Sequence, residues 1–282
     1  MARRRTETML VTRVGAGDRR RQPDELIVEE PMSIRLDGNQ VTTTMRTPGH
    51  DYELAAGFCH TEGVLGGAAI IGVRYCADGS AMSSEFNVVT IETGGQAPAF
   101  TPRLGLTSTS CGLCGSDSID TLCERLDPLP ADAAAHFEVE TFPDVCRRVL
   151  AGQGLFTTTG AVHGAAAFDD HGNILLTRED VGRHNAVDKV IGRMLLDGAL
   201  PATGLGLFVS GRSSFEMVQK AWAAGFAVLL SVSAPTSLAV ETARRAQLMM
   251  AGFVRSDRLN VYAPERLYAP APASSEGVPG IA

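Results

Sequence analysis

The sequence predicts an α/β protein (α+β overall), in which a smaller α+β domain precedes a mainly parallel or mixed sheet covered by helices. In the C-terminal half, short apolar runs at 205–210, 227–233 and 252–255 predict strands, and helical segments that begin near Ser213 and Thr236 lie between them. Strands that alternate with helices of this length form βαβ units, whose sheets are covered on their faces. Nearer the N-terminus, apolar and polar side chains alternate along short runs, which is typical of strands.

The first elements follow from this alternation and from local turn signals. Residues 25–29 and 32–36 predict two strands, and residues 37–39 (Asp-Gly-Asn) predict the turn that follows them. Thr47 is a suitable helix N-cap, and Pro48 suits the first helical position. Apolar residues at helical spacing then predict that a helix continues from this point.

Changes in composition along the 282 residues predict the domain organisation. Residues 86–91 predict a further strand, and the proline-containing stretch 97–109 has few apolar repeats, which places a boundary near residue 105. The expected organisation is a flexible tail at 1–22, an N-terminal α+β domain at 23–105, a second domain at 106–268, and a disordered tail at 269–282.

Overall composition excludes several classes of protein. Hydrophobic residues make up 44% and charged residues 20% of the chain, as in ordinary globular proteins. The net charge of −7 and the pI of about 5.4 argue against binding of nucleic acid over the whole surface. The apolar stretches are shorter than the roughly 20 residues of a membrane span. Six cysteines without a signal peptide indicate reduced thiols, and therefore the cytoplasm.

The first chemical motif is a pair of cysteines, Cys111 and Cys114, flanked by Gly112 and Gly115. Two thiols at this spacing can cooperate as attacking and resolving groups, or they can hold a metal ion. A structural zinc site needs two more ligands, and the other four cysteines do not form a second CxxC pair. The sequence therefore favours thiol chemistry, and no bound metal is expected.

A zinc-dependent deaminase is the alternative that a second pattern raises. His60 and Glu62 form an H-x-E motif that precedes the CxxC pair, as in the zinc deaminases. The separation of roughly fifty residues is long, and Ser110 replaces the proline expected before the first cysteine of that signature. This reading is less favoured than thiol chemistry.

Three turns could bind an anion, although each could equally be purely structural. Arg183 and His184 lie where a helix is predicted to begin, so that both would stand at its positive end. Ser210, Gly211 and Arg212 join a buried strand to a helix, and such a junction presents backbone N–H groups to phosphate. Residues 233–239 repeat this arrangement one unit later. Turns at the carboxyl ends of adjacent parallel strands form a ligand crevice.

The last candidate binding segment lies near the C-terminus. It contains two arginines, which suit a diphosphate, and an aspartate whose carboxylate could accept hydrogen bonds from a guanine edge. An edge strand with a surface ion pair is the alternative. The residues of this segment are Phe253, Val254, Arg255, Ser256, Asp257 and Arg258.

Taken together, these motifs resemble the FdhD family, the formate dehydrogenase accessory sulfurtransferases. The similarity extends from about residue 25 to residue 262, and several independent motifs occur in the same order. These motifs are Thr47-Pro48-Gly49, Ser110-Cys111-Gly112-Leu113-Cys114-Gly115, Gly160-Ala161-Val162-His163-Gly164-Ala165-Ala166, Glu179-Asp180-Val181-Gly182-Arg183-His184-Asn185-Ala186, Ser210-Gly211-Arg212 and Ser233-Ala234-Pro235-Thr236-Ser237-Leu238-Ala239.

The resemblance implies a sulfur carrier that takes persulfide sulfur from a cysteine desulfurase. The sulfur would pass to the molybdenum bis(molybdopterin guanine dinucleotide) cofactor before that cofactor enters formate dehydrogenase. Cys111 matches the persulfide-bearing cysteine, Cys114 its partner, and residues 253–258 the cofactor-binding segment. The resemblance also implies a second domain folded like the cytidine deaminases and a homodimer. A chaperone that holds the cofactor without moving sulfur is the alternative without catalysis.

Overall fold

The structure is a computed structural model that describes residues 3–15, 17–76, 81–82, 84–100, 106–107, 120–121, 124–130, 133 and 137–263. The strands that it describes are β1 (Thr6–Gly15), β2 (Asp18–Ile27), β3 (Glu30–Leu36), β4 (Asn39–Arg46), β5 (Gly72–Tyr75), β6 (Val88–Glu92), β7 (Leu106–Thr107), β8 (His163–Phe168), β9 (Ile174–Asp180), β10 (Gly206–Val209), β11 (Val228–Ser231), β12 (Met249–Gly252) and β13 (Asn260–Ala263). The helices are α1 (Asp51–Thr61), α2 (Phe142–Ala151), α3 (Gly154–Thr159), α4 (Arg183–Leu196), α5 (Phe215–Ala223) and α6 (Ser237–Ala246). The predicted α/β class is confirmed.

A β-hairpin stands where the sequence analysis expects a flexible tail over residues 1–22. Strands β1 and β2 pair antiparallel along their whole length. Gly17 in the connecting turn has a φ of 87°, in the region that favours glycine. Most side chains of both strands are exposed, so the hairpin is solvated on both faces. The first part of β2 was not predicted, because residues 19–21 are all arginine and do not alternate between apolar and polar side chains.

The N-terminal part forms a five-stranded sheet in the order β5-β6-β3-β4-β7. Strand β3 confirms the prediction at 32–36. The strand predicted at 25–29 overlaps the end of β2, and the strand predicted at 86–91 overlaps most of β6. Strand β7 pairs with β4, so this sheet continues two residues past the predicted domain boundary at 105. The division into two domains stays a prediction, and residues 269–282 lie outside the described part of the chain.

Helix α1 begins at Asp51, later than the sequence predicts. The N-cap position is occupied by His50, which has a φ of 59° and makes no capping hydrogen bond with its side chain. The prediction that Thr47 caps this helix is wrong. The Thr47 hydroxyl instead accepts a hydrogen bond of 3.1 Å from the backbone N–H of Val181.

The C-terminal part forms a six-stranded sheet in the order β13-β12-β11-β10-β8-β9. Strands β10, β11 and β12 run parallel, whereas β8, β9 and β13 pair antiparallel with their neighbours. The expected mixed sheet is therefore confirmed, with β10 and β11 inside the predicted runs 205–210 and 227–233. Thr236 caps α6, because its hydroxyl accepts from the backbone N–H of Ala239 at 3.2 Å.

Two features of this sheet differ from the prediction. The third parallel strand is Met249–Gly252 instead of residues 252–255, because Phe253 takes a φ of 53° and turns the chain away. Strands β8 and β9 were not predicted. The alanines of β8 carry little strand preference, so its apolar run has no clear strand signal.

Helices cover both faces of the six-stranded sheet. Because side chains alternate along a strand, β8 sends Ala165 and Ala167 to one face and Ala166 and Phe168 to the other. The first face packs against α4, α5 and α6, and the second packs against α2. A third cluster lies between α1 and the five-stranded sheet. The expected sheet with helical cover is confirmed.

Helices α1 and α4 join the two sheets and cross at a pair of glycines. A Cβ atom added at Gly57 would lie 1.9 Å from the Asp188 carbonyl oxygen, and one at Gly192 would lie 1.7 Å from the Glu53 carbonyl oxygen. The two backbones are therefore in direct contact. The middle of α4 is held against the N-terminal part of the chain by this crossing.

In the part of the chain that the structure describes, none of the helices combines the length and the apolar character that a membrane crossing requires.

Candidate functional site

The two thiols that the sequence singles out, Cys111 and Cys114, lie outside the described residues, and their role stays a prediction. The structure does describe the strand that leads to them. Strand β7 runs parallel to β4, with Thr107 opposite Thr44. The chain therefore leaves β7 in the direction of the end of β4 at Arg46.

Most of the other predicted binding residues lie along one edge of the six-stranded sheet. Strands β9, β10, β11 and β12 reach this edge with their carboxyl ends, and the antiparallel strand β8 begins there. Ligands of open α/β sheets bind outside the carboxyl ends of the strands. We name the residues at the β8, β9 and β10 positions of this edge the cationic cluster. Its members are His163, Arg183, His184, Ser210, Gly211, Arg212, Ser213, Ser214 and Glu216.

The turn between β10 and α5 is held by hydrogen bonds to its neighbours. The backbone N–H of Ser210 donates to the Gly164 carbonyl at 2.9 Å, and the Ser210 hydroxyl accepts from the Gly164 N–H at 2.9 Å. On the other side, the Ser213 N–H donates to the Ala234 carbonyl at 3.2 Å. Both ends of the turn are thus fixed before any ligand binds.

Gly211 allows two side chains of the cluster to approach this turn. A Cβ atom at position 211 would lie 3.4 Å from Cδ of Arg183 and 3.5 Å from Nδ1 of His163. The structure therefore brings the first and second predicted anion-binding turns together. Residue 183 comes from the start of α4 and residue 163 from the start of β8, so three segments of the chain meet here.

Arg183 and Arg212 bring two positive charges near each other in the cluster. Burial lowers the pKa of the Arg183 guanidinium, and the neighbouring charge of Arg212 lowers it further, while Glu216 opposes the shift. Among the described residues, Nε of Arg183 is buried and has no hydrogen-bond partner. Two guanidinium groups close together favour an anion between them.

Two serines add further donors without a partner. Ser213 is 1% exposed. Its hydroxyl and that of Ser214 are buried and form no hydrogen bond within the described chain. Ser214 occupies the N-cap position of α5 without making the usual side-chain capping bond. Buried polar groups are almost always satisfied in folded proteins. These hydroxyls, beside a helix N-terminus, are placed to donate to an oxyanion.

The side chains of His184 and Glu216 are in contact beside the arginines. Nε2 of His184 lies 2.6 Å from Oε2 of Glu216. Burial alone raises the pKa of the Glu216 carboxyl, but the hydrogen bond with His184 and the nearby cations outweigh it and leave the pKa below its ordinary value. Glu216 therefore stays ionised and holds the His184 ring in place.

His163 is kept neutral by its surroundings. Burial lowers the pKa of its imidazole, and the charges of Arg183 and His184 lower it further, with Asp180 opposing them. One ring nitrogen, Nδ1, lies 3.5 Å from the Ser210 hydroxyl. A neutral imidazole keeps one nitrogen as an acceptor, so His163 adds a polar but uncharged group to the cluster.

The predicted segment 253–258 lies two strands further along the same edge. The Val254 N–H donates to the Ser231 carbonyl at 3.2 Å, and the Ser231 hydroxyl donates to the Gly211 carbonyl at 2.9 Å. Ser231 thus connects this segment to the cationic cluster. The Arg255 guanidinium donates to the Val232 carbonyl at 2.6 Å, whereas residues 256–258 are exposed.

The H-x-E residues behind the deaminase alternative have structural contacts of their own. Nε2 of His60 lies 3.0 Å from the Ala223 carbonyl oxygen. The Glu62 carboxylate lies 3.3 Å from Nζ of the buried Lys220. Within the described residues, no cluster of histidine, cysteine, aspartate and glutamate side chains suited to a metal ion is found.

No binding role was predicted from the sequence for four members of the cluster: His163, Ser213, Ser214 and Glu216. Both serines adjoin the predicted turn at 210–212, so the N-terminal start of α5 was the available signal. His163 lies in one of the family motifs and Glu216 follows the turn at 210–212, but no local pattern predicts that either side chain reaches the cluster. They join the cluster only because β8 and α5 pack next to the start of α4.

Comparison with known proteins shows which family this chain belongs to and which solved structure has the same fold. The family model described as FdhD/NarQ matches residues 27–268. A protein of Streptomyces avermitilis named sulfur carrier protein FdhD is 44% identical over 281 residues, which cover 96% of this chain and 99% of that protein. A protein of Anaeromyxobacter dehalogenans with the same name is 42% identical over 258 residues, which cover 85% of this chain and 87% of that protein.

A crystal structure has the same fold. It comes from Desulfotalea psychrophila and was described as a candidate formate dehydrogenase accessory protein. The TM-score is 0.69 at 23% identity, and the match covers 93% of this chain and 98% of that chain. At this identity the similarity establishes the fold of the chain.

Proposed function

Because the chain belongs to the FdhD/NarQ family, we propose that it is a sulfur carrier in the maturation of formate dehydrogenase. It accepts persulfide sulfur on Cys111 and transfers it to the molybdenum bis(molybdopterin guanine dinucleotide) cofactor, which is its substrate. It is therefore a sulfurtransferase. The observation that carries this proposal is the cationic cluster. Its buried donors have no hydrogen-bond partner within the described part of the chain, and they suit the phosphates of such a substrate.

The cluster supplies the groups that a diphosphate needs. Arg183 and Arg212 provide positive charge, and a guanidinium binds two phosphate oxygens at once. The hydroxyls of Ser213 and Ser214 stand at the start of α5, where the backbone N–H groups and the helix dipole also favour an anion. A bound phosphate would satisfy the buried donors that find no partner among the described residues.

The segment 253–258 is the proposed contact for the guanine end of the substrate. Its backbone is joined to the cationic cluster through Ser231, so the two sites lie side by side at one sheet edge. The exposed Asp257 carboxylate can accept hydrogen bonds from the guanine edge. Arg255 holds the segment to the neighbouring β11 turn through its bond to Val232.

The length of the intervening chain limits how far Cys111 can lie from strand β7. Cys111 follows Thr107 by four residues, so their Cα atoms lie within about 14 Å of one another. Thr107 is opposite Thr44 in the β4–β7 pair. The hydroxyl of Thr44 in turn lies 3.4 Å from the Asn185 side chain in the first turn of α4. This is the helix that begins with Arg183.

The proposed first step is a thiol exchange. The Cys111 thiolate attacks the outer sulfur of the desulfurase persulfide, the S–S bond of the desulfurase breaks, and its cysteine leaves as a thiolate. Cys111 then carries the sulfur as S–SH. No net oxidation or reduction occurs, because one S–S bond replaces another.

Release of the sulfur involves the second thiol. The Cys114 thiolate attacks the inner sulfur of Cys111, which forms a disulfide and expels hydrosulfide towards the cofactor. A dithiol reductant then restores both thiols.

The proposed partners are a cysteine desulfurase, formate dehydrogenase and a second copy of the chain as a homodimer. The proposed compartment is the cytoplasm, where thiols stay reduced.

Intact-protein mass spectrometry tests the proposal directly. The protein is incubated with a cysteine desulfurase and cysteine, and the wild type is compared with Cys111→Ala, Cys114→Ala and the control Cys59→Ala. The wild type should gain about 32 Da, the mass of one sulfur atom carried as a persulfide. Cys111→Ala should gain nothing, whereas Cys59→Ala should load normally because its buried thiol has a raised pKa and stays protonated.

Activation of formate dehydrogenase distinguishes transfer from holding of the cofactor. Sulfur transfer predicts that Cys111→Ala still binds GDP but no longer supports activation. A chaperone that only holds the cofactor predicts normal activation by the same variant. Activation by Cys111→Ala, or no sulfur gain by the wild type, would refute the sulfur-transfer proposal.

A further inference from the structure

Glu216 is the one acidic side chain among the described residues that form the cationic cluster. It lies in the first turn of α5, just after the buried hydroxyls of Ser213 and Ser214. Arg183 and Arg212 carry the fixed positive charge of the cluster. A carboxylate in an anion-binding site opposes the attraction of the arginines, so its charge must affect which anions bind there.

Two contacts between α4 and α5 hold Glu216 in place. Oε2 of Glu216 lies 2.6 Å from Nε2 of His184 on α4. One helical turn further along both helices, Lys220 on α5 donates to the two carboxylate oxygens of Asp188 on α4 at 3.0 and 2.9 Å. The side chains of Lys220 and Asp188 are buried. Because the two contacts are four residues apart on each helix, they fix α5 against α4 and keep Glu216 at the start of α4.

The Glu216 carboxylate stays ionised at neutral pH. Burial raises its pKa, but the hydrogen bond with His184 and the charges of His184, Lys220 and Arg183 bring the pKa below its ordinary value. The same carboxylate acts on Arg183, whose pKa is lowered by burial and by Arg212 and raised by Glu216. An anion that binds to Arg183 therefore also lies in the field of Glu216.

The charges of the cluster suit an anion with two negative charges. Arg183 and Arg212 can each offset one of them. His163 is neutral, because burial and the neighbouring charges lower its pKa. His184 can carry a further positive charge, but its Nε2 faces Glu216. Within the cluster, a third negative charge on the ligand would therefore be repelled by a carboxylate.

We propose that Glu216 is a specificity-determining residue that favours a diphosphate esterified at both ends over one that ends in a terminal phosphate. Each phosphate of such a diester carries one negative charge, whereas a terminal phosphate carries about 1.5–2 charges at pH 7. This role rests on the proposed function, because the diphosphate of molybdopterin guanine dinucleotide is esterified at both ends. Glu216 disfavours the free nucleotides GDP and GTP, which carry more negative charge than the dinucleotide at this site.

A carboxylate in the first turn of a helix can also act by stabilising the helix through its dipole. That role predicts lower stability of a neutral variant without a change in ligand preference. Asp144 provides a matched control for it. Asp144 lies in the first turn of α2, on the opposite face of the sheet, and its carboxylate is 2.7 Å from Nε of Arg148.

Calorimetric titration of the full chain with three guanine nucleotides tests the role of Glu216. GDP-mannose has a diphosphate esterified at both ends, whereas GDP and GTP end in a terminal phosphate. EDTA is present in each titration, because a bound divalent cation would neutralise the additional charge. The wild type is compared with Glu216→Gln, Glu216→Asp and Asp144→Asn, and thermal unfolding of each protein reports on stability.

The wild type should bind GDP-mannose about 10-fold or more tightly than GTP. Glu216→Gln removes the charge and keeps the shape of the side chain, so the ratio of the GTP and GDP-mannose dissociation constants should fall about 10-fold. The ratio for GDP should fall by less, since GDP carries less charge than GTP. Glu216→Asp keeps the charge and should retain most of the preference, and Asp144→Asn should affect stability alone.

An unchanged ratio in Glu216→Gln, or an equal fall in Asp144→Asn, would overturn the inference. If Glu216→Gln does not fold, Glu216→Ser replaces it, because serine also removes the charge, and the same fall in the ratio is expected. Failure of the wild type to bind any of the three nucleotides would instead refute the nucleotide site of the proposed function, and the role of Glu216 with it. An unchanged ratio in a variant that still binds the nucleotides leaves that site intact, so the two failures are distinguishable.

Discussion

A methyl group at the crossing of α1 and α4 should destabilise the protein strongly. The change is Gly192→Ala, in the middle of α4. The added Cβ atom would lie 1.7 Å from the Glu53 carbonyl oxygen, 2.6 Å from the carbonyl carbon of the same residue and 2.7 Å from the Gly57 nitrogen. All three atoms belong to the backbone of α1. No side-chain rotation can therefore relieve the clash, and the two helices must move apart.

The size of the effect follows from these distances. Ordinary contacts of a Cβ atom begin near 3.4 Å, so the available space is about half of what the methyl group needs. Separation of the helices would also loosen the packing of Leu54 and Ala55, which are fully buried on α1. Overpacking of a core costs about 1–3 kcal/mol and occasionally more. Because backbone opposes backbone here, we expect about 3 kcal/mol.

Thermal unfolding measures this loss. In a protein of this size, each kcal/mol lowers Tm by about 2–4 °C, so Gly192→Ala should lower Tm by about 6–12 °C. Gly154→Ala is the control, since a Cβ at that position has nothing within 4 Å and Gly154 has no positive φ. It should leave Tm unchanged or slightly raised. A drop of less than about 2 °C for Gly192→Ala would refute the described helix contact.

Two further predictions concern charge. Burial raises the pKa of Glu53, but the bidentate bonds from Arg178, at 2.5 and 2.9 Å, outweigh it and bring the pKa to about 2, from an ordinary value of 4.5. The folded state should therefore gain up to about 3 kcal/mol above pH 4.5 and lose it as the pH falls towards 2. Denaturant unfolding of Glu53→Gln should show a stability deficit that shrinks between pH 6 and pH 3, and a constant deficit would contradict the pairing. For the cationic cluster, Arg183→Met should weaken GDP binding about 10- to 100-fold by calorimetry, because a charge-assisted hydrogen bond contributes about 1.5–3 kcal/mol. Arg193→Met, on the same helix but paired with the exposed Asp197, should bind GDP normally, and equal losses in both variants would argue against a phosphate site at residue 183.

Local sequence signals were sufficient where an element carries its own pattern. The parallel strands β10 and β11 are apolar runs bounded by turn residues, and both lie where the sequence predicts them. Thr236 was predicted near the start of a helix and caps α6 through its own hydroxyl. Such signals depend on neighbours within a few residues, so no tertiary contact is needed to interpret them.

Local signals failed where a distant partner decides the outcome. Thr47 has the chemistry of an N-cap, yet its hydroxyl binds Val181, more than a hundred residues away. The third parallel strand ends at Gly252 because Phe253 adopts a positive φ, which no periodicity predicts for a phenylalanine. In each case a long-range contact or an uncommon backbone conformation overrides the local preference.

The sequence by itself determined the α/β class and the family resemblance, and it predicted the residues of three candidate anion-binding turns. Only the tertiary structure decided which of these residues meet, since Arg183 and Gly211 come together through the pairing of β8 with β9 and β10. It also decided that His184 pairs with Glu216, because α4 and α5 pack on the same face of the sheet. The chemistry of a site depends on its residue types, which a sequence shows directly. The distances between those residues depend on strand order and helix packing, which arise only when the whole chain folds.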